Sequence, residues 1–147
     1  MDREMTELYA VRASNHYKRG DYEGAIDGFN HAIERQPTNP KFYYGRGETC
    51  RKIGKYDRAI VDCTQAIKLN PDFVPAYYTR GNAYYAMDNY DCAIADYTKI
   101  IELRPNFAEA YMWRGFSYTL TGDYANAIKN QKIAVQLKPE LESILRR

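Results

Sequence analysis

Residues 40–73 read PKFYYGRGETCRKIGKYDRAIVDCTQAIKLNPDF, and residues 74–107 read VPAYYTRGNAYYAMDNYDCAIADYTKIIELRPNF. Laid one under the other without a gap, both carry tyrosine at the fourth and seventeenth places, arginine at the seventh and glycine at the eighth. Ala-Ile follows at the twentieth and twenty-first, and proline at the thirty-second. A long period without insertions marks an array in which each repeat is one supersecondary unit.

Working outward, the register continues on both sides, with Thr6 and Ala108 as further first positions. The fourth place then reads Tyr9, Tyr43, Tyr77, Tyr111, and the seventeenth Tyr22, Tyr56, Tyr90, Tyr124. Pro37, Pro71, Pro105 and Pro139 are each 34 residues apart. Four repeats follow, 6–39, 40–73, 74–107 and 108–139, in a single domain spanning 1–147.

Within a repeat, apolar and small residues recur at helical spacing in two segments. Between them stand Gly20-Asp21, Gly54-Lys55, Asp88-Asn89 and Gly122-Asp123, residues suited to the left-handed end of a helix. Proline then stops the second segment, since it cannot extend the hydrogen-bond ladder. Each repeat is therefore a helix-turn-helix hairpin and the fold class is all-α. A glycine inside a helix costs about 1 kcal/mol relative to alanine, so Gly47, Gly81 and Gly115 predict close helix approach, with the small residues at positions twenty and twenty-seven facing them. In 140–147, Leu141, Ile144 and Leu145 fall at i, i+3, i+4 and predict a short helix capping the apolar end of the last hairpin.

These columns resemble the tetratricopeptide repeat family over Thr6 to Pro139. The resemblance implies a right-handed superhelix whose first helices line a concave groove for a peptide or a partner helix. Some members hold acidic chaperone tails with a carboxylate clamp. At the corresponding positions this sequence has Ala10, Ser14, Gly45, Pro75 and Thr79, or, one repeat later, Tyr44, Glu48, Thr79, Glu109 and Trp113. Clamp binding of such tails is not expected.

Composition narrows the function further. A formal charge of +2, from 21 basic and 19 acidic residues, gives no steering field for nucleic acid or anionic lipid. No apolar run approaches membrane-spanning length, and Met1 to Glu7 lacks the apolar core of a secretory signal. Cys50, Cys63 and Cys92 lack metal-ligand spacing and read as reduced packing thiols, so a cytoplasmic location is expected. His16 and His31 have no partner cluster, and the glycines belong to the repeat. No catalytic residue, cofactor or metal is expected.

Position seven, Arg12, Arg46, Arg80 and Arg114, could face an acidic ligand, but Asp62 and Asp96 at position twenty-three suggest an internal ladder of charge-assisted bonds. The groove positions change along the array. Repeats one and two supply Glu7, Ala10, Val11, Ser14, Tyr17, Lys18, Lys41, Tyr44, Gly45, Glu48, Arg51 and Lys52, a mixed and charged set; repeats three and four supply Tyr78, Thr79, Asn82, Tyr85, Ala86, Met112, Trp113, Phe116, Thr119 and Leu120, an apolar and aromatic one. An aromatic surface of this kind marks a contact face. The partner-binding residues are accordingly Tyr44, Glu48, Tyr78, Asn82, Tyr85, Met112, Trp113 and Phe116, with a protein or peptide as the partner. Self-association through the same aromatic surface, giving a homo-oligomer, is the alternative. Single-stranded RNA binding has only Lys41, Arg46, Arg51, Lys52, Lys55 and Arg58 behind it, several of them off the groove.

Overall fold

Turn chemistry sets the element boundaries in the computed structural model, which describes residues 2–147. Every regular element among the described residues is helical: α1 Asp2–Lys18, α2 Tyr22–Arg35, α3 Pro40–Lys52, α4 Tyr56–Leu69, α5 Val74–Ala86, α6 Tyr90–Leu103, α7 Ala108–Thr121, α8 Tyr124–Leu137 and α9 Glu142–Leu145. Helices α3, α5 and α7 begin at the first positions of their repeats. The first helix starts earlier than Thr6, because Asp2 and Glu4 suit a helix N-terminus and the Thr6 hydroxyl donates to the Asp2 carbonyl at 2.7 Å. Gly20, Gly54 and Gly122 turn the hairpins with φ of 80°, 78° and 84°, and Asp88 does so at 60°. Asp21, Asn89 and Asp123 then accept the backbone N–H of Gly24, Cys92 and Asn126, capping α2, α6 and α8; Lys55, before α4, makes no such bond.

The helical glycines mark close helix approach. A Cβ on Gly47 would stand 3.0 Å from Cys63 Sγ and 3.2 Å from the Ala59 carbonyl, and one on Gly115 would meet Gln131, Ala127 and Asn130 at 3.2–3.4 Å. Position twenty is thus the expected neighbour, while positions twenty-three and twenty-four take the place predicted for twenty-seven. In the first hairpin the roles are exchanged. Position eight is Ala13, and its neighbour on α2 is Gly28, where an added Cβ would lie 2.8 Å from that of Ala13.

Tyrosine and proline columns are joined by a repeated bond. The hydroxyls of Tyr43, Tyr77 and Tyr111 donate to the carbonyls of Pro37, Pro71 and Pro105 at 2.7–2.9 Å, tying each first helix to the end of the helix before it. Over the same three rings lie the guanidinium groups of Arg46, Arg80 and Arg114, 5.6–5.9 Å from the centroids.

Two compact units are present, the first ending at Ala83 and the second running from Tyr84 to Arg147. In the first, Ala13, Ala25 and Phe29 form one cluster, and Cys63, Ala66 and Ala76 another with Tyr43, Tyr44, Ile67 and Phe73 around it. In the second, Ala108, Met112, Ala134 and Leu141 are buried with Tyr111, Trp113, Phe116 and Leu145 against them. The predicted cap is a 3-10 turn, Pro139–Leu141, followed by α9. Leu141 and Leu145 face the core, but Ile144 is exposed, because the 3-10 turn breaks the continuous helical phase that the spacing assumed. Lys138 adds a 2.7 Å ion pair to Glu109 on α7.

Candidate functional site

Four first-helix side chains converge in the first unit. Glu48 Oε1 accepts from the Tyr17 hydroxyl at 3.1 Å and from Arg51 Nη2 at 2.7 Å; Oε2 accepts from Arg51 Nε at 2.9 Å and from the Thr79 hydroxyl at 2.8 Å. One carboxylate therefore links α1, α3 and α5. Burial pushes its carboxyl up, yet the bonds from Arg51, Thr79 and Tyr17 outweigh that and hold it below its ordinary value of 4.5. Tyr17 is pushed up to about 12 by burial and by the Glu48 charge, which keeps the phenol protonated as a donor. Burial, then the same charge, raises Tyr44.

Beside this network lies a cavity of about 520 Å³ lined by Ala10, Val11, Ser14, Phe29, Tyr44, Gly45 and Phe73, with the charged residues Lys18 and Lys41 also in its lining. A smaller cavity of about 250 Å³ shares Ser14, Lys18, Phe29, Tyr44 and Gly45 with it and reaches Tyr17 and Glu48. The floor depends on one glycine. A Cβ at position 45 would lie 2.4 Å from the tip of the Phe29 ring, so only glycine there lets a second-helix aromatic reach the first-helix face. Tyr44 and Phe73 meet edge to face with centroids 5.5 Å apart, forming an aromatic corner.

In the second unit Tyr85, Trp113 and Phe116 form a row of edge-to-face contacts, with centroids 5.2 Å and 5.6 Å apart, extended by Tyr90 at 5.4 Å from Tyr85. Trp113 and Phe116 are half-buried against the Leu141 cluster. Met112 belongs inside that cluster and is 6% exposed, so its expected place on the contact face is corrected: the C-terminal segment covers it. Tyr78 and Asn82 are half-buried on α5.

Sequence reasoning missed Phe29 and Phe73, which fall at repeat positions twenty-four and thirty-four, outside the first helices. A usable signal was present in Gly45, where the other repeats have Val11, Thr79 and Trp113.

Three members of the arginine column, Arg46, Arg80 and Arg114, brace helices internally. Arg46 donates Nε and Nη2 to the two oxygens of Asp62 at 2.9 and 2.7 Å, and Nη1 to Asn30 of the preceding hairpin at 2.9 Å. Arg80 bonds Thr64, and Arg114 bonds Thr98 and Asn130. Arg12 lies exposed, since Gly28 gives it no side-chain acceptor at position twenty-three.

Comparison with known proteins agrees with these repeated contacts. Tetratricopeptide repeat family models match residues 40–73, 74–107 and 108–141, and a TPR repeat model matches 14–50. The chain belongs to the tetratricopeptide repeat family. No curated protein sequence matches it. Among solved tetratricopeptide repeat folds it is similar to a crystal structure of MamA, at 28% identity and a TM-score of 0.88 over 94% of this chain and 81% of that one. It is also similar to the first TPR of Spaghetti (RPAP3) bound to the HSP90 peptide SRMEEVD, at 27% identity and 0.79 over 83% and 99%. The Arabidopsis OM64 TPR domain matches in fold at 24% identity and 0.79 over 81% and 98%. This tetratricopeptide repeat chain places Ala10, Ser14 and Gly45 on the wall of an apolar cavity. No described helix is long and apolar enough to cross a membrane.

Proposed function

We propose that this chain is a non-catalytic scaffold that binds a peptide or helix of a partner protein on its first-helix faces. The observation that carries it is the aromatic-floored cavity of the first unit, concave and apolar where a monomer gains nothing by leaving it open. Tyr44, Tyr78 and Asn82 on the first unit and Tyr85, Trp113 and Phe116 on the second are the proposed contacts. Glu48 orders the first set and touches the ligand less, its oxygens being engaged already. The free thiols of Cys50, Cys63 and Cys92 fit a reducing, cytoplasmic setting.

Panning short random peptides displayed on phage against the immobilised chain tests this. Enrichment over an unrelated immobilised protein, reduced by Tyr44→Ala or Trp113→Ala, is expected; no enrichment would sink the reading. Association of like chains is the second reading, favoured by Tyr124 and Ile128 on α8, which are 64% and 54% exposed. Light scattering over a concentration series separates it, since a constant monomer mass removes it.

A further inference from the structure

A separate cavity of the first unit, at the start of α4, is lined by hydrogen-bond donors and cations, and we infer that it binds a phosphomonoester group. Its volume is about 300 Å³, and its walls are Ile26 and Asn30 of α2, Arg46 and Cys50 of α3, and Lys55 and Arg58 around the first turn of α4. None of these residues lines either cavity described above, so the inference does not rest on the scaffold reading.

Every polar side chain in this lining is left with a proton to donate. The Asn30 oxygen is taken by Arg46 Nη1, which leaves the amide N–H groups of Asn30 for another acceptor. Asp62 takes Nε and Nη2 of Arg46, and further guanidinium protons remain. The Cys50 side chain is 2% exposed, and its thiol makes no hydrogen bond among the described residues. Burial, then the Asp62 charge, pushes that thiol up and keeps it protonated; Arg58, Arg46 and Lys55 pull it the other way, so all three cations act on this one point. Lys55 and Arg58 are exposed, and among the described residues no carboxylate pairs with either. Asp57 is exposed and outside the lining. With Arg46 neutralised by Asp62, two cationic charges are left uncompensated. A phosphomonoester answers them with nearly two negative charges and three acceptor oxygens, where a carboxylate brings one charge.

The helix end works in the same direction. Helix α4 lacks the side-chain cap that Asp21, Asn89 and Asp123 give α2, α6 and α8, so its first-turn N–H groups are open to an anion. Comparison between repeats shows that the arrangement occurs once. At the places of Cys50, Lys55 and Arg58, the third repeat has Tyr84, Asn89 and Cys92, and the fourth has Tyr118, Asp123 and Asn126. A small residue stands where the others have a ring, a cation where they have a cap, and a second cation joins them in the same cavity.

Amide NMR of the isotope-labelled chain, titrated with inorganic phosphate at an ionic strength held constant with sodium chloride, tests this. Saturable shifts are expected at the backbone amides of Asp57 and Arg58 and at the side-chain amide of Asn30. Arg58→Ala and Lys55→Asp should each weaken binding by on the order of tenfold. Circular dichroism establishes that each variant is folded. Thermal unfolding gives a second readout: phosphate should raise the Tm of the wild type more than that of Lys55→Asp at the same concentration, a comparison that removes the general effect of phosphate salts. The end-blocked tripeptide Ala-phosphoserine-Ala distinguishes the source of the group. Tighter binding than inorganic phosphate assigns it to a phosphorylated partner protein, and weaker binding assigns it to free phosphate. No saturable shift at the three amides, or shifts and Tm gains unchanged in both folded variants, overturn the inference and leave the scaffold reading standing.

Discussion

The ring of Phe29 rests against the backbone of Gly45, at a distance where a single added carbon would stand 2.4 Å from the ring tip. Alanine at 45 would gain about 1 kcal/mol of helix propensity. Overpacking a close contact costs about 1–3 kcal/mol, which is the larger effect, so Gly45→Ala is expected to lower Tm. Adding Phe29→Leu should recover part of the loss, a coupling that a double-mutant cycle in urea would measure. Independent, additive losses would show that the ring yields freely.

Replacing the carboxylate that holds three first helices together should be costly. Hydrogen bonds to a charged group contribute about 1.5–3 kcal/mol, and Glu48→Gln should remove about 2 kcal/mol at neutral pH. The sign with pH follows from the depressed folded value. The advantage of Glu48 over Gln is complete above its ordinary value of 4.5 and disappears as pH falls through the lower folded value. Urea unfolding of both proteins from pH 7 to pH 3 should show the two curves converging on the acid side. Curves that stay parallel would assign the stabilisation to shape alone.

Arginine replacements should rank by the acceptor each one has. Arg46 is paired bidentately with Asp62, which is only 2% exposed, and losing one member of such a pair costs about 3 kcal/mol. Arg114 bonds the neutral groups of Asn130 and Thr98, so Arg114→Ala should cost about 1–2 kcal/mol. Arg12→Ala should change stability by less than about 0.5 kcal/mol. Urea midpoints for the three variants check the order, and equal losses would contradict it.

Lys55 stands before α4 without a side-chain cap and places a cation at the positive end of the helix. Lys55→Asp reproduces the cap that Asp21 makes for α2 and should raise stability by about 1 kcal/mol, seen as a higher Tm.

Almost all of the fold was legible in the sequence, because the residues that define it recur. Tyr43 and Pro37 signal one bond, and Tyr77 with Pro71 and Tyr111 with Pro105 repeat it, so a column can be read without knowing the contact. The site is the opposite case. Phe29 reaches the cavity only through the coincidence of a ring at position twenty-four and a glycine at position six of the next repeat, a pairing that occurs once. Met112 was misplaced for a related reason: helical phase puts it on the same side as Trp113, but burial by Leu141 depends on a 3-10 turn that periodicity does not encode. The Glu48 network is equally hidden from periodicity, because its four donor atoms come from residues 3 to 31 positions away, on three different helices.

The exchange of Ala13 and Gly28 reaches beyond their own contact. Arg46 holds Asn30 behind it and Asp62 ahead of it, each 16 residues distant, so neither the first nor the second hairpin can open without removing a bond from the other. Glycine at 28 denies Arg12 the forward half of such a link. The first hairpin is thus fastened from one side only, and backbone amides of α1 should exchange with deuterium ahead of those of α3, making the outer edge of this unit the place where the chain begins to come undone.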